Sequence, residues 1–123
     1  MEQEYIKDDI VMYDNKIHTI IDALGINNYE LSYIEHPVHQ LELSGVPLTP
    51  EILEKNGWEK DEEASFKTQL YYRKKVGVRT IFVIIKEETS RVIYDSTCLR
   101  IIQYLHELQH LIFGLGLNSE MEV

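Results

Sequence analysis

The five residues His106-Glu107-Leu108-Gln109-His110 are the part of this chain whose types and spacing could do chemistry. Two histidines four apart on a helix project the same way, so both rings can bind one Zn²⁺ through neutral nitrogens. A glutamate beside the first can then act as general base on a metal-bound water. A zinc-dependent hydrolase would thus take His106 and His110 as metal ligands, Glu107 as catalytic base and Zn as cofactor. A catalytic zinc also needs a third protein ligand. No histidine follows His110, and Phe113 stands where the longer motif with a downstream histidine needs glycine. Glu120 and Glu122 would have to double back, and His36 and His39 lie far upstream. A polar arc is also what any surface helix carries, so a solvated helix face is the plainer reading.

A second cluster is cationic. Arg73, Lys74, Lys75 and Arg79 surround one expected hairpin, with Tyr71 and Tyr72 beside them and Arg91 and Arg100 on neighbouring strands. Guanidinium and ammonium groups pair with phosphate, and tyrosine rings stack on bases, so Arg73, Lys74, Lys75, Arg79, Tyr71 and Tyr72, with Arg91 and Arg100 as neighbours, are candidates to hold a nucleotide. The plainer reading is a solubilised hairpin tip. Cys98 has no activating neighbour in sequence. The chain has no glycine-rich phosphate loop, cysteine cluster or serine-centred nucleophile elbow.

The elements that must position these groups follow from periodicity. Leu99–Leu117 is the longest helix candidate: Tyr104, Leu105, Leu108, Leu111, Ile112 and Leu115 share one arc, and Gln103, His106, Glu107, His110 and Gly114 the opposite one. The apolar arc should pack and Glu107 should be exposed. Upstream, Glu4–Tyr13 and Lys16–Leu24 form a hairpin around Asp14-Asn15, residues that tolerate positive φ. Tyr29–Ile34 and Val38–Leu43 are further strands. Thr49 as N-cap, Pro50 at the first helical position and Gly57 at the end bound a short helix, with Trp58 folded back on it. Phe66–Arg73 and Val78–Lys86 pair through a turn at Lys74–Gly77, and Phe82–Ile85 reads as a central strand buried on both faces. Arg91–Tyr94 and Cys98–Ile102 follow, and Glu120–Val123 adds a last short strand. The expected fold is α+β, with an antiparallel, partly curled, barrel-like sheet, one short helix and one longer C-terminal helix, in a single domain over residues 1–123.

Composition sets the outer bounds. The 123 residues hold 44 % hydrophobic and 27 % charged side chains, a globular balance. The acidic N-terminus is unlike a signal peptide, no apolar run approaches bilayer length, and one cysteine suits a reducing compartment. These features point to a cytoplasmic protein without membrane partners. A net charge of −9 opposes general nucleic-acid binding, while leaving room for a local pocket that takes a small anion.

The segments VPLTPEILEKNGW (Val46–Trp58) and YLHELQHL (Tyr104–Leu111) resemble a family of small uncharacterised proteins from Bacteroides-type gut bacteria and their phages and prophages. Members open with a β-rich segment, and the resemblance covers most of the chain in order. In that pattern the positions of Glu107 and His110 are often Gln and Asn, which could not run zinc hydrolysis. The resemblance therefore implies that His106, Leu108 and Gln109 matter for structure. With no complete catalytic set, the expected function is that of a non-enzymatic phage or prophage binding protein without cofactor. It would counter host defence by capturing a small anionic nucleotide signal or a host protein, with homo-oligomerisation left open.

Overall fold

The computed structural model describes residues 5–25, 27–66, 68–94, 97–117 and 121–123. The fold is α+β, and the chain divides into two compact units: Met1–Val46 with Tyr104–Glu120, and Pro47–Gln103 with Met121–Val123. The first begins with strands β1 (Ile10–Tyr13) and β2 (Lys16–Ala23), antiparallel around Asp14 and Asn15. Both turn residues take positive φ, 49° and 62°, as a two-residue hairpin of matching twist requires. Alternation sends Val11, His18 and Ile20 inward. A register shift in β2 between Ile20 and Asp22 adds curl where β3 (Asn28–Leu31) pairs with it. Next come β4 (Val38–His39), a 3₁₀ turn at Gln40–Glu42 and β5 (Leu43–Gly45), giving a five-stranded order β4-β3-β2-β1-β5. The expected strand Val38–Leu43 is broken because His39 caps the 3₁₀ turn: its Nδ1 accepts from Leu41 N–H, and the Glu42 carboxylate accepts from the backbone N–H of His39. Tyr5, Val11, Ile20, Tyr29, Leu31, Val38 and Leu43 form the core.

The second unit opens with helix α1 (Pro50–Lys55), bounded as its sequence dictates. Thr49 Oγ1 accepts from Ile52 N–H, Gly57 turns at φ 84°, and buried Trp58 donates its backbone N–H to Leu53 O at 3.0 Å. Strands β6 (Glu59–Lys60), β7 (Leu70–Val76), β8 (Arg79–Lys86), β9 (Thr89–Tyr94) and β10 (Thr97–Ile102) make an antiparallel meander in sequence order. The β7–β8 turn lies at Gly77-Val78, so Lys74 and Lys75 belong to strand rather than to turn. Central β8 is fully buried on one face only: Ile81, Val83 and Ile85 point into the core, while Phe82 and Ile84 are half-buried on the other. At the chain's end Met121–Val123 forms no strand, and Glu120 lies outside the described residues. Instead the Asn56 amide accepts from Glu122 N–H and donates to Glu122 O, doing a strand's pairing with one side chain.

The first unit is completed by helix α2 (Leu105–Gly114). It starts later than the expected Leu99, because Leu99–Ile102 belong to edge strand β10. Leu105 donates to Val46 O at 2.8 Å, and a Cβ on Gly45 would lie 2.6 Å from Tyr104 Cδ1, so only glycine admits that ring. No helix among the described residues is long and apolar enough to cross a membrane.

Candidate functional site

Helix α2 buries more than its apolar arc. Leu105, Leu108 and Ile112 are in the core, but so are His106 and Gln109, and His110 is half-buried. The middle of the polar arc, His106 to His110, therefore does not face solvent, contrary to the sequence expectation, while Gln103 and Gly114 at its ends are exposed. A buried polar side chain must be hydrogen-bonded, and the partners come from the far end of the chain. Gln109 Oε1 accepts from Ile10 N–H at 3.0 Å and its Nε2 donates to Asp8 O at 3.0 Å, mimicking a strand beside the start of β1. His110 Nε2 meets Asp9 Oδ2 at 2.7 Å, and the same buried carboxylate accepts from Ile6 N–H. The His106 ring packs edge-on against Tyr5 at 4.9 Å and is stacked with Tyr104 at 5.9 Å.

Glu107 is half-buried rather than exposed, and its Oε1 accepts the Tyr104 N–H at the helix start. Each member of the expected zinc set thus has a structural task. The His106 and His110 rings lie 5.6 Å apart, and no group of three or more His, Cys, Asp or Glu that could hold a metal ion occurs among the described residues. Upstream, His36 Nδ1 lies 3.2 Å from Pro37 O, and His39 is the cap described above.

The cationic cluster is divided by the pleat. Side chains alternate along a strand, so Tyr71, Arg73 and Lys75 lie on one face of β7 while Tyr72 and Lys74 lie on the other. Tyr72 is 2 % exposed and cannot stack on a ligand. Burial, and then the carboxylates of Glu54, Glu51 and Glu62, push its hydroxyl pKa above the usual 10.0. Lys74 Nζ donates to Asn56 O at the end of α1. Arg79 sits with its guanidinium 6.0 Å from the Tyr94 ring centre, on the face that carries Ile81.

The other face gathers a different set. Register places Arg73 opposite Phe82, Tyr71 opposite Ile84, and Ile84 opposite Arg91. Phe82, Ile84 and Ile93 form a half-buried apolar strip, flanked by the exposed cations Arg73, Lys75 and Arg91. Arg73 lies 3.6 Å from Asp61 and 3.9 Å from Glu59, pairs long enough to be shared with an incoming anion. Arg91 makes no ion pair among the described residues. The sequence marks Arg91 only as a neighbour of the cluster; strand parity joins it to Arg73 and Lys75 and puts Lys74, Tyr72 and Arg79 on the other face. Exposed Cys98 lies opposite Ile93 at the edge.

No family model, curated protein or solved structure matches this chain.

Proposed function

We propose that this protein is a binding module that holds a small anionic ligand of the nucleotide class on the open face of β7, β8 and β9. The observation that supports this reading is the shared face of Tyr71, Arg73, Lys75 and Arg91 around Phe82 and Ile84. A ring system would lie on Tyr71 and the apolar strip, and phosphate groups would take charge-assisted hydrogen bonds from the two guanidinium groups. The resemblance to proteins of phages and prophages supports a role in sequestering a signal of host defence.

Calorimetric titration with cyclic dinucleotides and ADP-ribose derivatives tests the assignment. We expect a ligand with Kd below ~10 µM, about −7 kcal/mol. Arg91→Ala should weaken it more than about tenfold, whereas Arg79→Ala and Lys74→Ala, on the opposite face, should leave it unchanged. Binding by none of the panel would leave a host protein as the partner. Near-stoichiometric zinc in protein purified without chelator or added metal, lost in His106→Ala, would instead return the function to hydrolysis.

A further inference from the structure

Beside the Asp14-Asn15 end of the β1–β2 hairpin lies a cavity of about 340 Å³, within the ~300–1,000 Å³ range of small-molecule sites. Its lining combines Tyr13 and Ile34, both packed on the core, with half-exposed Ile17 and the exposed Asp14, Lys16 and Tyr33. Open ends of curled sheets are habitual ligand positions.

Three details mark this cavity as built for an occupant. His18 is 8 % exposed, and its Nδ1 lies 2.8 Å from Ser32 O. A carbonyl only accepts, so Nδ1 carries the proton and, in the neutral ring, Nε2 is left as an acceptor on a side chain that lines the cavity. Two further bonds between Thr19 and Ser32 hold that ring in place, Thr19 N–H to Ser32 Oγ and Ser32 N–H to Thr19 O, each 3.0 Å. Tyr33 stands at φ 63° with 98 % of its surface exposed. That backbone is strained for an aromatic residue, and none of the described residues covers the ring in return. Finally, Asp14 and Lys16 carry opposite charges at the rim, and neither makes an ion pair among the described residues.

We infer that the cavity binds a free aromatic amino acid whose ring carries a hydrogen-bond donor. The ring enters between Tyr33 and the Tyr13–His18 edge-on pair, whose centres are 5.9 Å apart. Its N–H or O–H donates to His18 Nε2. The α-carboxylate pairs with Lys16 and the α-ammonium with Asp14, so a zwitterion satisfies both rim charges. A single ammonium beside a carboxylate suits such a ligand better than a polyphosphate, which calls for several cations.

Titration of the intact protein with L-tryptophan, L-tyrosine, L-phenylalanine, tryptamine and indole-3-propionate reads each contact separately. L-Tryptophan or L-tyrosine should bind with Kd below ~100 µM, and L-phenylalanine at least about tenfold more weakly because His18 is then left unpaired. Tryptamine and indole-3-propionate should each lose about tenfold relative to L-tryptophan. Lys16→Ala should abolish the difference between L-tryptophan and tryptamine, and Asp14→Ala that between L-tryptophan and indole-3-propionate. Tyr33→Gly should abolish binding without lowering Tm, because glycine accepts φ 63° freely. Absence of binding across the panel would overturn the assignment. So would equal binding of all five compounds, or a Tyr33→Gly variant that binds as well as the parent. Arg91→Ala should leave the titration unchanged, which separates this cavity from the sheet face.

Discussion

At the scale of single residues, the polar groups of α2 hold structure rather than face water. Gln109→Ala would leave Ile10 N–H and Asp8 C=O without their partner, a loss of about 1–3 kcal/mol for buried groups. Leu108→Ala, in the core, should cost about 2–5 kcal/mol. Glu107→Ala should cost about 0.5–2 kcal/mol as a lost cap. Urea unfolding of the three variants measures all of these. A Gln109→Ala protein as stable as the parent would show that its bonds are replaced by water. Tyr72 adds a pH signature. Its hydroxyl pKa is raised by burial, so between 10.0 and that raised value the unfolded chain has released a proton that the folded one keeps. This contribution to stability is intact below pH 10 and is lost as pH rises through the raised value. Tyr72→Phe should therefore unfold with a shallower decline than the parent in urea series taken from pH 9 to 11.

At the scale of elements, what the sequence reveals depends on how near the deciding partners lie. Asp14-Asn15 and the Thr49-Pro50 start of α1 were legible because their geometry is set by backbone within a few positions. Trp58 was legible for the same reason, since its partner Leu53 O is only five residues back. The facing of α2 was not legible. Periodicity separates polar from apolar arcs, but Asp8, Asp9 and Ile10, which make burial of the polar arc tolerable, stand about 100 positions upstream. Strand parity fails in another way. A turn at Lys74–Gly77, as the sequence suggests, puts Lys74 and Lys75 in a loop where the two faces are not distinguished, whereas the turn at Gly77-Val78 puts them in β7. The cavity at His18 escaped sequence reading because no short-range pattern connects Ser32 and Tyr33 to β2.

At the scale of the whole molecule, 21 acidic residues against 12 basic ones give a surface that repels anions at long range. Whatever anion meets Arg73 and Arg91 is held by contact rather than by steering, so its affinity should depend weakly on salt once bound. The chain path adds a further point. It leaves the first unit at Val46 and returns at Tyr104, where Leu105 N–H binds Val46 O; within the second unit Leu48 N–H likewise binds Gln103 O at 3.3 Å. Departure and return are thus neighbours, the arrangement in which one stretch of chain can be spliced into another without disturbing it. A shortened protein in which a few glycines join Val46 to Tyr104 should keep the first sheet and α2 as a cooperative unit, seen by a single sigmoidal urea transition. The five-stranded meander that runs from Glu59 to Ile102 would then be cargo on a scaffold, free to be exchanged while the first sheet and α2 stay closed.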